Sequence, residues 1–245
     1  MKKLMMYTLA CSAMLLSNLA LAEDSPFTFS ANVALSTDYM YRGTSQTANL
    51  PSISGGLDVS HESGLYAGAW ASNIDGSGAV FTTSTMELDV YGGYTSEIGS
   101  TGIGYDVGLL YYVYPGQATG ADYNFLEGYA GFSYDFTDKL SAGVTFRATP
   151  DWQGATGEGY NVEGSLDYAL PYDVTLSGMV GHQTVDENAT WGTPDWTYYS
   201  VGLTKTLGPF DFNVSYVDTD MSTTDCFGGS NICDGRGVFT ISSSW

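Results

Sequence analysis

Short runs of alternating polar and apolar residues recur along this chain from Phe27 to its last residue, Trp245. A side-chain period of two belongs to the β-strand, whose successive residues face opposite sides. Asn161, Glu163, Ser165 and Asp167 alternate with Tyr160, Val162, Leu166 and Tyr168. Glu87 and Asp89 alternate with Met86, Leu88 and Val90, and Asp211, Asn213 and Ser215 with Phe210, Phe212, Val214 and Tyr216. Twelve segments read this way: Phe27–Tyr41, Pro51–His61, Leu65–Asn73, Thr85–Thr95, Ile103–Tyr114, Tyr123–Phe136, Leu140–Thr149, Tyr160–Tyr168, Val174–Gln183, Trp196–Thr206, Phe210–Asp218 and Arg236–Trp245. Most approach the about 9–11 residues that a tilted membrane-crossing strand needs. The pattern therefore predicts an all-β fold, a transmembrane antiparallel up-and-down barrel of about twelve strands. Within Leu65–Asn73 the two parities do not separate into a polar and an apolar face.

The connections alternate in length. His61–Gly64, Phe136–Lys139, Leu170–Asp173 and Leu207–Phe210 are tight and built from turn-forming residues, whereas Asn73–Thr85, Pro150–Gly159, Thr184–Pro194 and Thr219–Gly235 are longer. Short periplasmic turns opposite longer outer loops are the rule in outer-membrane barrels, and an even strand count puts both termini on the periplasmic side. Aromatics gather at the strand ends. Phe27, Phe29, Tyr168, Phe210, Phe212 and Trp245 are expected in a periplasmic girdle, and Tyr39, Tyr41, Tyr111, Tyr160, Tyr199 and Tyr216 in an outer one. The same alternation could serve a soluble barrel with its apolar face inward, but that barrel has no use for aromatic girdles or a terminal Trp.

Residues 1–22 read as a secretory signal: Lys2 and Lys3, an apolar run from Leu4 to Leu16, then Ala20-Leu21-Ala22. That leaves residues 23–245 as one barrel domain. The chain carries 27 acids against 7 bases, and Lys2 and Lys3 leave with the signal. An excess of this sign argues against a nucleic-acid partner and suits a surface or passage that attracts cations. Cys11 falls in the signal, so Cys226 and Cys233 remain, seven apart in a loop-like segment of an exported chain. They are expected to pair as a disulfide; a metal site fits less well, because the spacing is not C-x-x-C and neither His61 nor His182 is near in sequence.

Parity carries the candidate site. In the first segment Arg42 shares a face with Asn32, Ser36 and Asp38, which points it into the lumen near the outer mouth. Arg147 lies inward at the outer end of its own strand, and Glu87, Asp89, Glu127 and Glu163 enter from the outer side at similar heights. Two inward arginines facing four inward acids make either a charged constriction that sets selectivity or a salt-bridged plug that closes the lumen; both need the same residues. Catalysis has little to stand on. His61 falls in a periplasmic turn, His182 faces lipid, and Ser200 points to the lumen, so no nucleophile and base share a face.

Residues Leu35–Gln46, Pro51–Asp58 and Gly64–Asn73 resemble the TorF-like family of candidate porins of Gram-negative outer membranes. Glu87–Gly93, Tyr112–Gly116 and Glu127–Gly131 extend the likeness over nearly all of residues 23–245, and the first block is the most specific. The resemblance implies a bacterial outer-membrane location and a pore, with no cofactor, substrate or catalytic residue attached; the Cys226–Cys233 loop departs from its pattern. The expected function is passive diffusion of small hydrophilic solutes, preferring cations. The alternative is a structural or adhesion barrel that works through its loops. The expected partners are outer-membrane lipid and lipopolysaccharide, small solutes or cations, and the barrel-assembly machinery acting on the C-terminal Trp245 segment.

Overall fold

The computed structural model describes residues 25–75, 83–186, 188 and 194–245. The signal-like residues 1–22 lie outside the described residues. In chain order the strands are β1 (Phe27–Ser36), β2 (Met40–Tyr41), β3 (Thr44–Ser45), β4 (Ser52–His61), β5 (Leu65–Asn73), β6 (Met86–Glu97) and β7 (Ile103–Val113). They continue with β8 (Phe125–Asp135), β9 (Leu140–Thr149), β10 (Gly159–Leu170), β11 (Val174–Val185), β12 (Trp196–Leu207), β13 (Phe210–Thr219) and β14 (Arg236–Ser244). All but β2 and β3 join one closed antiparallel barrel of twelve strands in up-and-down order. Pairing of β1 with β14 closes it, and Ala31 and Trp245 exchange backbone hydrogen bonds of 2.8 and 3.0 Å at the seam. Closure leaves no strand edge unpaired, as a barrel in lipid requires.

The expected strands survive with their ends shifted by a few residues, with one substantive correction. The first segment does not run to Tyr41: β1 stops at Ser36, whose hydroxyl donates to the Asp38 carbonyl (2.8 Å). The chain then turns into the lumen as the small hairpin β2–β3, whose two-residue turn is Arg42–Gly43, both at positive φ (47° and 81°). That is the conformation of the tightest hairpin connections. Tyr39 and Tyr41 go inward with it, so they are not girdle residues as the alternation suggested.

The outer wall is apolar. Leu57 is 69% exposed and Val214 60%, and Leu35, Ile53, Leu65, Leu109, Val180 and Val201 are exposed with them. The soluble reading fails here, because the apolar parity faces outward as a continuous band suited to lipid. Exposed aromatics border it. Phe27, Phe29, Tyr168, Phe210 and Trp245 lie at the short-turn end and Tyr111, Tyr160, Tyr199 and Tyr216 at the long-loop end. The short turns show their chemistry: Gly64 sits at φ 97°, where any side chain would drive into the Thr95 carbonyl. In β5, Tyr66, Gly68, Trp70 and Ser72 face the lumen while Leu65, Ala67, Ala69 and Ala71 face out, which resolves the strand whose faces the sequence left mixed. Since the barrel's hydrogen bonding is closed, the folded protein in detergent should resist SDS at room temperature and shift in gel mobility only on boiling. Recovery as a soluble periplasmic protein would contradict that expectation.

Candidate functional site

The loop-end half of the lumen is filled. Three segments fold into it: residues 37–51 around the β2–β3 hairpin, residues 150–158, and residues 220–235. Their apolar side chains join the main buried cluster of the protein, Trp152, Phe227 and Ile232 coming from the segments and Tyr112, Phe125, Trp196 and Tyr198 from the wall. Rings are layered, with Tyr112 stacked on Phe125 (4.2 Å), Trp152 against Trp196 (5.9 Å) and Trp196 against Phe227 (5.9 Å). Hydrogen bonds tie the segments to one another and to the wall. The Ser45 amide donates to the Ile232 carbonyl (2.9 Å), and Trp196 Nε1 donates to the Arg42 carbonyl (2.9 Å). The Cys226–Cys233 disulfide is present, with both cysteines fully buried in this packing rather than carried on a free outer loop.

Within the plug the candidate charges pair off. Arg42 donates to both Glu127 oxygens (2.6 and 2.7 Å) and to Gln183 Oε1 (2.5 Å), and the two charged side chains are 5% and 2% exposed. The Arg42 guanidinium also lies over the Tyr41 ring, 4.7 Å from its centre. Arg147 donates to Asn161 (2.9 Å) and pairs with Glu163 at 3.6 Å, while the Tyr198 hydroxyl donates to Glu163 (2.8 Å). Glu87 accepts from the Tyr39 hydroxyl (2.6 Å). Asp89 Oδ1 accepts from no described residue. Thus Arg42 meets Glu127 and Arg147 meets Glu163, but Glu87 and Asp89 have no arginine. A third pair was not anticipated, Arg236 with Asp38 at 3.0 Å, and Asp38 also takes the hydroxyls of Ser45 (2.6 Å) and Thr47 (2.8 Å).

The route by which Arg42 arrives differs from the sequence reading. It is inward because the hairpin turns it there, not because strand alternation continues to it. Its positive φ stores backbone strain of about 1–3 kcal/mol, held by the ion pair and by the Trp196 bond to its carbonyl. Gln183, Asn161, Tyr198, Trp70 and Trp196 also belong to the assembly. The inward parity of Asn161 and Gln183 was open to reading, but the partners that the hairpin brings to them were not.

The short-turn half is different in kind. Asp58 accepts from Tyr91 (2.5 Å), Asp106 from Tyr66 (2.6 Å), Asp167 from Ser177 (2.5 Å) and Asp211 from Thr206 (2.6 Å). Each of these carboxylates is met by a hydroxyl and none by a base. Lys139 adjoins a short turn, and Lys205 lies on the wall facing Asp173 at the short-turn end. The tyrosines lie along the wall, over glycines of the neighbouring strand: Tyr91 over Gly68, Tyr129 over Gly108 and Tyr198 over Gly181. His182 is exposed on the outer wall, bonded to Thr197 (3.1 Å), and His61 is bonded to Ser63 (2.8 Å) in its turn.

Fold and wall together define an outer-membrane-type barrel of twelve strands. Residues 20–245 match a family model described as a bacterial protein of unknown function (Gcw_chp), and the chain belongs to that family. No curated protein sequence matches it. Solved structures share its fold at low identity. The NanC porin aligns with a TM-score of 0.59 at 13% identity, over 88% of this chain and 98% of that one. The KdgM porin in complex with disordered oligogalacturonate gives 0.58 at 10%, over 88% and 98%. The COG4313 outer membrane channel from Pseudomonas putida F1 gives 0.58 at 10%, over 88% and 94%.

Proposed function

We propose that this protein is an outer-membrane channel for passive diffusion of small hydrophilic solutes, with a preference for cations and no catalytic role. The reading agrees with the resemblance to TorF-like candidate porins and with the barrel's likeness to porins of known structure. The observation that carries it is the charge of the short-turn half. Asp58, Asp106, Asp167 and Asp211 line it with only hydroxyl partners, while the arginines of the lumen sit at the loop end. A low-dielectric wall focuses that negative field along the passage. Acidic solutes would meet repulsion there. In this reading residues 1–22 direct export, the short turns face the periplasm, lipid and lipopolysaccharide surround the apolar band, and the Trp245 segment is presented to the barrel-assembly machinery. Arg42, Arg147, Glu87, Asp89, Glu127 and Glu163 form the narrowest part.

The purified barrel in a planar bilayer under a salt gradient should show a reversal potential of the sign set by cations. Asp167→Asn with Asp211→Asn should move it towards zero, and so should 1 M salt, where screening shortens to about 3 Å. Anion selectivity of the wild type would overturn the charge argument. The second reading, a structural or adhesion barrel with a closed lumen, is favoured by the burial of the Arg42–Glu127 pair, and complete absence of conductance would select it.

A further inference from the structure

The bases of the lumen are engaged away from Asp89, Arg42 with Glu127, Arg147 with Glu163 and Arg236 with Asp38. Asp89 is only 8% exposed, and its Oδ1 meets no donor among the described residues. Aromatic residues surround it. Register sets Trp70 beside it on β5 and Tyr112 on β7, and Tyr91 follows two residues along the same face of β6. Tyr39 descends from the plug, packs its ring on Trp70 at 5.3 Å and bonds Glu87, two residues before Asp89. Trp70 Nε1 is buried there too and donates to no described residue.

One patch of wall therefore offers a negative acceptor, a free N–H donor and aromatic faces. A carboxylate this far from water is costly unless it takes up a proton or a positive group reaches it. An ammonium group supplies both the charge and a donor for Oδ1, and aromatic rings attract it further. The Trp70 N–H, which cannot bond an ammonium, fits a hydroxyl oxygen on the same solute. A metal suits the patch less, since no group of three or more His, Cys, Asp or Glu among the described residues is arranged to hold one.

We propose that Asp89 and Trp70, roofed by Tyr39, form a binding subsite for the ammonium group of a small hydroxylated amine, an amino alcohol. The subsite shares the acidic lumen with the channel reading and names a solute class for it, but it does not depend on conduction.

Calorimetric titration of the folded barrel in detergent with ethanolammonium chloride tests this. Saturable binding is expected, with potassium chloride and ethylene glycol at equal concentration binding at least about tenfold more weakly, since each lacks part of what the patch recognises. Asp89→Asn should weaken binding by at least about tenfold. Trp70→Phe should weaken it severalfold, and Asp211→Asn, which touches only the general field of the lumen, should weaken it far less than Asp89→Asn does. The boiling-dependent gel shift reports that each variant has folded, and either of the first two variants suffices if the other does not. No saturable binding, potassium binding as well as the amine, or equal losses in Asp89→Asn and Asp211→Asn would each overturn the subsite. A silent bilayer with intact amine binding would remove the channel reading alone, and a cation-selective bilayer without amine binding would remove the subsite alone.

Discussion

Arg42→Met should loosen the filled half of the lumen while leaving the barrel closed. The substitution keeps the bulk of the side chain but strands the Glu127 carboxylate, which is 2% exposed and otherwise holds only the Tyr112 hydroxyl at 3.3 Å. Removing one member of a buried pair costs about 3–5 kcal/mol, whereas replacing both by apolar groups is close to neutral. At a factor of ten per about 1.4 kcal/mol, hydrogen exchange at plug amides such as Ser45 should accelerate by about a hundredfold or more, and channel openings should become larger and more frequent. The seam amide of Ala31, which belongs to the barrel, should hardly change. Arg42→Met combined with Glu127→Leu should return exchange most of the way to wild type. If the single and double variants exchange alike, the pair does not hold the plug.

The contrast between plug and wall also marks what could be read from the residues alone. Strand positions, the closing role of the last strand and the outward apolar face all follow from a period-two pattern, because a barrel strand has one partner on each side and its faces answer to lipid and lumen. The pairing of Cys226 with Cys233 was equally legible, since a short exported segment holds only those two thiols. Tyr39 and Tyr41 were misplaced, and the route that brings Arg42 inward was misread, for one reason. Alternation continues through Asp38, Met40 and Arg42, so the residues look like strand, while the Arg42–Gly43 turn that reverses them adds no break in the pattern. Strand β5 hid its faces because its lumen side carries Tyr66 and Trp70 and its lipid side carries small alanines, the reverse of the usual size contrast. Whether Glu87 would meet an arginine or a tyrosine depended on where that hairpin lands, which is a tertiary fact.

The second large effect is expected where a tyrosine needs the absence of a side chain. Gly181 on β11 lies under the Tyr198 ring, and a Cβ there would overlap the ring outright. Tyr198 is fully buried, donates to Glu163 at 2.8 Å, and accepts from Asn161 Nδ2 at 3.0 Å. Gly181→Val must push that ring off the wall and into the plug. Overpacking costs about 1–3 kcal/mol, and the buried carboxylate and amide left without the hydroxyl add about 1–3 kcal/mol. Gly178 supplies the control three residues earlier on the same strand. It faces outward, with nothing within 4 Å of the position a Cβ would take, so Gly178→Val should stay within about 0.5 kcal/mol of wild type. Both substitutions alter β-propensity alike, so the difference isolates the close approach of the ring. In urea, the midpoint for loss of the boiling-dependent gel shift should fall for Gly181→Val and hold for Gly178→Val. Adding Tyr198→Ala to Gly181→Val should relieve the overlap yet leave Glu163 without its hydroxyl, recovering part of the loss. Equal midpoints for the two valine variants would show that the ring can leave the wall freely, and with it that the Tyr198–Glu163 contact does little to hold the filled half of the lumen.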